Sequence, residues 1–184
     1  MTGLRVAIDY DPALRAQDGI ARYTRSLVGA MLAADESMEL FLFGSTAVGM
    51  PVHPRVTPVV HGMTPRLWRV RLLLAHFAGV PAMREFPEVD LFHATDFVFP
   101  PTSDRMPLVI VSLHDVTTIT SRKMHTFLHR IVTGTFMTIL KKSPHHILVP
   151  TEAGLLVAAM ALGICRERMT VAPYGVAYTA LCKR

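Results

Sequence analysis

The sequence predicts an α/β protein: a single Rossmann-like three-layer domain with a mostly parallel sheet of about six or seven strands. Short apolar runs alternate along the chain with longer segments of helical periodicity. The apolar runs are continuous, as in strands that are buried on both faces of a parallel sheet. The 184 residues, 51% of them hydrophobic and 18% charged, are enough for one core and exclude a disordered chain.

The first half of the chain contains three predicted strands and two predicted helices. In chain order these are a strand at 4–9, a helix at 19–35, strands at 38–44 and 55–60, and a helix at 64–80. The third strand has the weakest pattern. The apolar residues of the first helix recur at helical spacing, at Ile20, Tyr23, Leu27, Ala30 and Met31. In the second helix Thr64 is the predicted cap and Pro65 stands in the first turn.

The second half continues the alternation. It contains predicted strands at 90–95 and 107–113, a helix at 121–142, a strand at 145–150, a helix at 151–163, and a last strand and turn at 168–176. Two lysines end the long helix, where they complement the helix dipole. Thr151 is the predicted cap of the next helix and Gly163 its end. Alternating strands and helices imply a parallel sheet with right-handed crossovers.

Ligands of such sheets bind beyond the carboxyl ends of the strands. This rule selects the polar residues that directly follow predicted strands. They lie at 9–19, 93–96, 114–115 and 151–152. We therefore expect any functional site to draw on these segments.

Gly19 stands at the start of a helix after the first strand, where a backbone can approach an anion and free N–H groups point toward it. The segment is not a GxGxxG motif, and a loop glycine beside a capping Asp18 explains it equally well. Arg22 lies close enough to the loop to meet an anion there. A solvated role is the favoured reading for Arg25.

The apolar run 109–113 ends in His114 and Asp115. A histidine at a strand end can donate a hydrogen bond or titrate near neutral pH, so a functional role is favoured for His114. Asp115 is predicted to shape the following turn. His93, also at a strand end, is more typical of a packed core residue. No His, Cys or Asp cluster has metal-site spacing, so no metal and no cofactor are predicted.

The helix at 64–80 carries Arg66, Trp68 and Arg69, and its other face is apolar, with Leu67, Val70, Leu74 and Phe77. A basic helix with a tryptophan could lie on anionic lipid. An ordinary surface helix with its apolar stripe on the core is the favoured interpretation.

The chain is basic, with a net charge of +5 and a pI near 9.6, which suits nucleic acid, an anionic membrane or phosphorylated small molecules. No nucleic-acid recognition motif or basic cluster with interleaved aromatics is found, so nucleic acid is not a predicted partner. Cys165 and Cys182 fit no metal or disulfide pattern. These features predict a cytoplasmic protein, with peripheral contact to the inner face of a membrane left open.

Four segments, in this order and spacing, resemble the N-terminal domain of family 4 retaining glycosyltransferases of the GT-B fold. They are "GIARYT" at 19–24, "DLFHATDFVFPP" at 90–101, "VSLHDVT" at 111–117 and "VAPYGV" at 171–176. The resemblance covers residues 4–176. It implies a nucleotide-sugar-dependent hexosyltransferase that acts on a saccharide or lipid-linked acceptor.

The resemblance also implies roles for individual residues. His114 would be catalytic and face the transferred sugar, and Gly19 and Ile20 would bind the donor diphosphate. The cleft and acceptor would be contacted by Arg22, Tyr23, Asp96 and Thr151. The chain would be the acceptor-side domain, residues 1–176, with a tail or linker at 177–184.

The donor-binding domain of that family has no counterpart in the sequence. Tyr174 also stands where the family usually has asparagine. The chain would therefore be inactive without a donor-binding domain, supplied in cis or as a separate subunit, and a homodimer is left open. The alternative function is a non-catalytic α/β module that binds a phosphate, a nucleotide or a glycan.

Overall fold

The computed structural model describes residues 3–15, 17–80, 82–83, 86–103, 108–114, 127–143 and 145–175. Within them the strands are β1 (Arg5–Asp9), β2 (Glu39–Gly44), β3 (Val56–Val60), β4 (Leu91–Ala94), β5 (Leu108–Ser112), β6 (His146–Val149) and β7 (Met169–Val171). The helices are α1 (Asp11–Arg15), α2 (Gly19–Ala34), α3 (Pro65–Ala78), α4 (Phe127–Lys142) and α5 (Glu152–Leu162), with a 3₁₀ turn at Arg166–Arg168.

The described strands form one sheet of seven, in the order β3-β2-β1-β4-β5-β6-β7, and every pairing is parallel. The predicted α/β fold with six or seven strands is confirmed. The chain winds outward from β1 to β3 and then returns to the other side of β1 to form β4. The strand order therefore reverses between β1 and β4, where Val6 pairs with Leu40 on one side and Leu91 on the other.

Burial along the strands follows their position in the sheet. The central strand β1 is buried from Val6 to Asp9, as expected for a parallel strand covered by helices on both faces. The edge strand β3 has no buried residue and contains Pro58, which an edge position tolerates because one side of the strand has no ladder to complete. The weak pattern at 55–60 is therefore explained by the edge position.

The helix ends follow local chemistry, and the predicted caps are confirmed. The side chains of Asp18, Thr64 and Thr151 each accept a hydrogen bond from a backbone N–H in the first turn of the helix that follows. Gly163 ends α5 with φ of +62°, a left-handed conformation that favours glycine. Two short elements, α1 and the 3₁₀ turn, were not predicted, because one turn of helix has too little periodicity to detect.

The buried face of α2 is offset by one residue from the apolar residues that recur at helical spacing in the sequence. The helix buries Ala21, Thr24 and Val28, whereas the predicted apolar residues are only half-buried or, at Ala30, exposed. Small side chains let the helix approach the sheet closely. The buried hydroxyl of Thr24 is satisfied because it donates to the carbonyl of Ile20 at 2.9 Å.

The predicted core stripe of α3 is wrong. The helix buries Trp68, Leu72 and Ala75. The four residues of the predicted stripe are all exposed: Leu67, Val70, Leu74 and Phe77. Both faces of α3 carry large apolar side chains, so periodicity alone does not decide which one packs on the sheet.

Candidate functional site

An open cavity of about 160 Å³ lies at the carboxyl edge of the sheet, at the reversal between β1 and β4. We call it the carboxylate cavity. Its charged lining consists of Asp9, Asp11, Asp18, Asp96, Arg15 and Arg69. Ile20 and Trp68 contribute apolar surface. Several lining residues fall within the segments selected by the strand-end rule, at 9–19 and at 96; that these segments form a functional site stays a prediction.

Asp9 ends β1 and is almost completely buried. Its Oδ1 accepts a hydrogen bond from the backbone N–H of Asp11 at 3.2 Å. Burial, and secondarily the negative charges of Asp11 and Asp96, raise the pKa of Asp9 to about 8. Asp9 is therefore mostly protonated at pH 7 and can donate a hydrogen bond into the cavity.

Asp11 is buried and fully engaged within the protein. Its carboxylate accepts hydrogen bonds from the Arg15 guanidinium, from the Ser45 N–H at 2.8 Å and from His61 Nε2 at 3.0 Å. Burial opposes ionisation, but the hydrogen bonds from His61 and Ser45 and the charge of Arg15 outweigh it and lower the pKa of Asp11. Asp11 therefore forms one wall of the cavity, and its carboxylate is already hydrogen-bonded to three partners within the protein.

The tautomer of His61 follows from its neighbours. Nδ1 accepts from the Met63 N–H at 3.2 Å, so Nε2 carries the proton and donates it to Asp11. The ring stacks on Trp68 with 4.2 Å between centroids and 4° between planes. The stack and the hydrogen bonds fix the start of α3 against α1. The strand-end rule, applied to β3, selects His61 directly, and sequence reasoning missed it only because β3 was not considered.

The start of α2 borders the cavity. Asp18 Oδ1 accepts from the Ala21 N–H at 2.9 Å, so a carboxylate already occupies this helix N-terminus. Gly19 is the first residue of the helix, and a side chain there would meet nothing within 4 Å. Its backbone does not require glycine, because its φ is not positive. Diphosphate binding by Gly19 and Ile20 stays a prediction, and the Asp18 carboxylate opposes it electrostatically.

A second polar group of side chains lies beside the cavity, at the ends of β4 and β5. We call it the histidine–tyrosine cluster; it comprises His93, Ser112, Tyr23, His114 and Tyr174. Ser112 Oγ lies 2.8 Å from His93 Nε2 and 2.9 Å from the Tyr23 hydroxyl. Burial, followed by the neighbouring His114, lowers the pKa of His93 to about 4, so its ring is neutral at pH 7. The prediction that His93 is a packed core residue agrees with its 5% exposure.

His114 is held by two partners within the protein. Nε2 donates to the carbonyl oxygen of Thr95 at 2.7 Å, and Nδ1 is hydrogen-bonded to the Tyr174 hydroxyl. The edge of the Tyr23 ring packs against His114 with centroids 5.0 Å apart. His114 is not among the described residues that line the carboxylate cavity.

The remaining predicted site residues separate into two groups. Asp96 lines the cavity, and its Oδ1 accepts from the Phe97 N–H at 2.7 Å. Thr151 caps α5 through the Gly154 N–H at 3.0 Å, and Arg22 is exposed on α2; neither lines the cavity. Asp115 lies outside the described residues.

Within the described part of the chain, no group of three or more His, Cys, Asp or Glu side chains is arranged to hold a metal ion. The predictions of no metal and no cofactor are untested by this. Among the same residues, none of the helices has the length and apolar character needed to cross a bilayer.

Comparison with protein-family models finds no match, and comparison with curated proteins finds no relative. Among solved structures the chain is similar to the crystal structure of the oxidoreductase ylbE from Lactococcus lactis. The two share 11% sequence identity over 80% of this chain and 68% of that chain, with a TM-score of 0.42. A likeness at this level transfers no activity and no cofactor.

The glycosyltransferase prediction is wrong: no family model matches the chain, and the similar solved structure named above is described as an oxidoreductase. The physical reason is visible in the four segments that carried the resemblance. The segment at 19–24 is the start of α2, the one at 90–101 contains β4, and the described part of the third segment, 111–114, contains the end of β5. Such segments recur wherever a parallel sheet alternates with helices, so they report the fold and not the chemistry.

Proposed function

We propose that this protein is a nucleotide-binding module that holds the ribose of its ligand in the carboxylate cavity. The observation that carries the proposal is the pair of carboxyl groups, Asp9 and Asp96, that follow the two strands on either side of the reversal and line one cavity. Parallel α/β sheets bind their ligands at this type of position.

The chemistry of the pair suits a vicinal diol. Each ribose hydroxyl is both a donor and an acceptor of hydrogen bonds. The protonated Asp9 carboxyl can donate to one hydroxyl oxygen, and the Asp96 carboxylate, whose negative charge helps to raise the pKa of Asp9, can accept from the other. These hydrogen bonds would add to those that Asp9 and Asp96 already make with backbone N–H groups, because a carboxyl group can take part in several hydrogen bonds at once.

The size of the cavity suits one part of a nucleotide and not the whole molecule. At about 160 Å³ it lies below the roughly 300 Å³ typical of the smallest sites that enclose a drug-sized ligand. It can take a sugar ring while the rest of a nucleotide lies outside. Arg69 belongs to the lining and provides positive charge for a phosphate, whereas the guanidinium of Arg15 is already paired with Asp11.

A glycan-binding module fits the site less well. Sugar rings in such modules stack on an open aromatic face, but Trp68, the single tryptophan of the chain, is buried and already stacked on His61.

The test is calorimetric titration of the protein with the common ribonucleoside monophosphates and with their 2′,3′-dideoxy analogues. We expect at least one ribonucleotide to bind, with the affinity about tenfold or more lower for its dideoxy analogue, since two hydrogen bonds to charged or buried groups are lost. Asp96→Asn should weaken binding of the ribonucleotide by a similar factor and leave the weak binding of the dideoxy analogue unchanged.

The matched control is Glu36→Gln, which makes the same change of charge at an exposed position after α2. Two results would show that the cavity does not recognise ribose. One is equal affinity for a ribonucleotide and its dideoxy analogue, and the other is an equal loss of ribonucleotide affinity in Glu36→Gln and Asp96→Asn.

A further inference from the structure

The outer face of α3 carries an apolar stripe that faces solvent. Leu67, Val70, Leu74 and Phe77 are 60%, 53%, 47% and 71% exposed. They are separated by three, four and three residues, which places them along one side of the helix over about 15 Å. Isolated exposed apolar residues are normal, but four in line on one helix mark an interaction surface.

Basic side chains border this stripe. Arg66 is four residues before Val70, and Arg71 lies four residues after Leu67 and three before Leu74, so one arginine stands on each side. Arg66 is exposed, and Arg71 keeps one donor on the carbonyl of Ala82 at 3.3 Å. The surrounding sequence has the same character: residues 40–84 contain five arginines and no Asp, Glu or Lys.

We propose that this stripe docks the protein on an anionic lipid surface, with α3 lying in the plane of the membrane. Helices that lie in the membrane interface combine a buried apolar side with flanking arginine or lysine. The anionic leaflet complements Arg66 and Arg71, which stand on the two sides of the stripe. A second copy of the chain complements them poorly, because self-pairing would oppose arginine with arginine around the same stripe.

The surface differs from the one that the sequence suggested for lipid contact. Trp68 is buried and stacked on His61, so it cannot serve as an interfacial anchor. The anchoring side chains are instead the four residues predicted for the core.

The experiment is co-flotation of the protein with vesicles of phosphatidylcholine alone and of mixed phosphatidylcholine and phosphatidylglycerol. We expect binding to the mixed vesicles that weakens as salt is raised. The double variant Leu67→Gln with Phe77→Gln should lower this binding by about tenfold or more, because two apolar anchors are lost. Arg66→Gln should lower it by about fivefold on the mixed vesicles only.

The matched control is Leu156→Gln with Met160→Gln, which removes two exposed apolar side chains from α5, 54% and 87% exposed. It should bind the mixed vesicles within about twofold of the unchanged protein, since additivity holds for remote sites. Glutamine keeps helix propensity, and thermal unfolding of each variant verifies the fold.

Three outcomes would overturn the proposal. One is the absence of binding to mixed vesicles. Another is a loss of vesicle binding in the α5 control that equals the loss in the α3 double variant. The third is a concentration-dependent dimer in analytical ultracentrifugation that the Leu67 and Phe77 changes abolish, which would make the stripe an interface between copies. The vesicle experiment contains no nucleotide, so failure of the ribose proposal does not affect this test.

Discussion

The carboxylate cavity and the histidine–tyrosine cluster occupy neighbouring strand ends, yet the first is open and charged and the second is closed by its own hydrogen bonds. Thr95 joins them directly: its hydroxyl donates to the carbonyl of Asp9 at 2.7 Å, and its own carbonyl accepts from His114. The two regions therefore share the same edge of the sheet and the same backbone segment.

The difference lies in how the polar groups are satisfied. In the cluster, Tyr23, Ser112 and His93 satisfy one another's hydrogen-bonding groups. The Tyr23 hydroxyl donates to Ser112 Oγ, and the Ser112 hydroxyl donates to the neutral imidazole of His93. In the cavity, Asp9 and Asp96 line open space that a ligand can enter. A polar strand end thus indicates a ligand site only when open space adjoins groups that a ligand can satisfy.

The largest expected effect comes from removing the buried anion that supports the cavity wall. Asp11→Ala leaves His61 and Arg15 without their carboxylate and should lower the free energy of unfolding by about 3–5 kcal/mol. Urea denaturation measures it. Glu152→Ala, which breaks the exposed pair with Arg166 at 3.2 Å, should cost less than about 1 kcal/mol. Similar losses in the two variants would contradict the supporting role of Asp11.

The next effect is a pH dependence that originates at Asp9. The folded carboxyl keeps its proton up to a pH of about 8, whereas the unfolded carboxyl releases it near 3.8, so stability should fall as pH rises between these values. Asp9→Asn cannot release a proton and should reduce the loss of stability between pH 5 and pH 8 by on the order of 2–4 kcal/mol. Urea denaturation across this interval tests it, and an unchanged slope would mean that Asp9 is ionised in the fold.

A smaller effect is expected in the closed cluster. Ser112→Ala removes the hydroxyl between His93 and Tyr23, leaving two polar atoms without that partner, and should cost about 1–3 kcal/mol of stability. Nucleotide affinity should not change, because Ser112 does not line the cavity. Ser26→Ala, at an exposed position on α2, should change stability by less than about 0.5 kcal/mol. Loss of nucleotide affinity in Ser112→Ala would erase the distinction between the two regions.

The smallest effect is expected at His114. His114→Ala should cost less than about 1 kcal/mol, since the ring is partly exposed and its partners can turn to water. Affinity for the ribonucleotide should stay within about twofold, because His114 is not in the lining of the carboxylate cavity. Calorimetric titration of the variant measures this, and a large loss of affinity would place His114 in the binding site.

Sequence reasoning succeeded where the signal is local. The strands, the caps at Asp18, Thr64 and Thr151, and the end at Gly163 each follow from a few adjacent residues, and the structure confirms them. It did not identify which face of a helix is buried, as in α2 and α3, because this depends on the surface against which the helix packs. The strand-end rule can select both Asp11 and His61, but their pairing across fifty residues of the chain is visible only in the tertiary structure.

By itself, the sequence determined the alternation of strands and helices, hence the parallel sheet, and the strand ends at which polar residues gather. Only the tertiary structure decided which of these strand ends face open space and which bury their polar groups against one another. It also decided that α3 presents Trp68 to the core and Leu67 to the solvent. The physical reason is that burial and hydrogen bonding depend on neighbours that a parallel sheet recruits from distant parts of the chain.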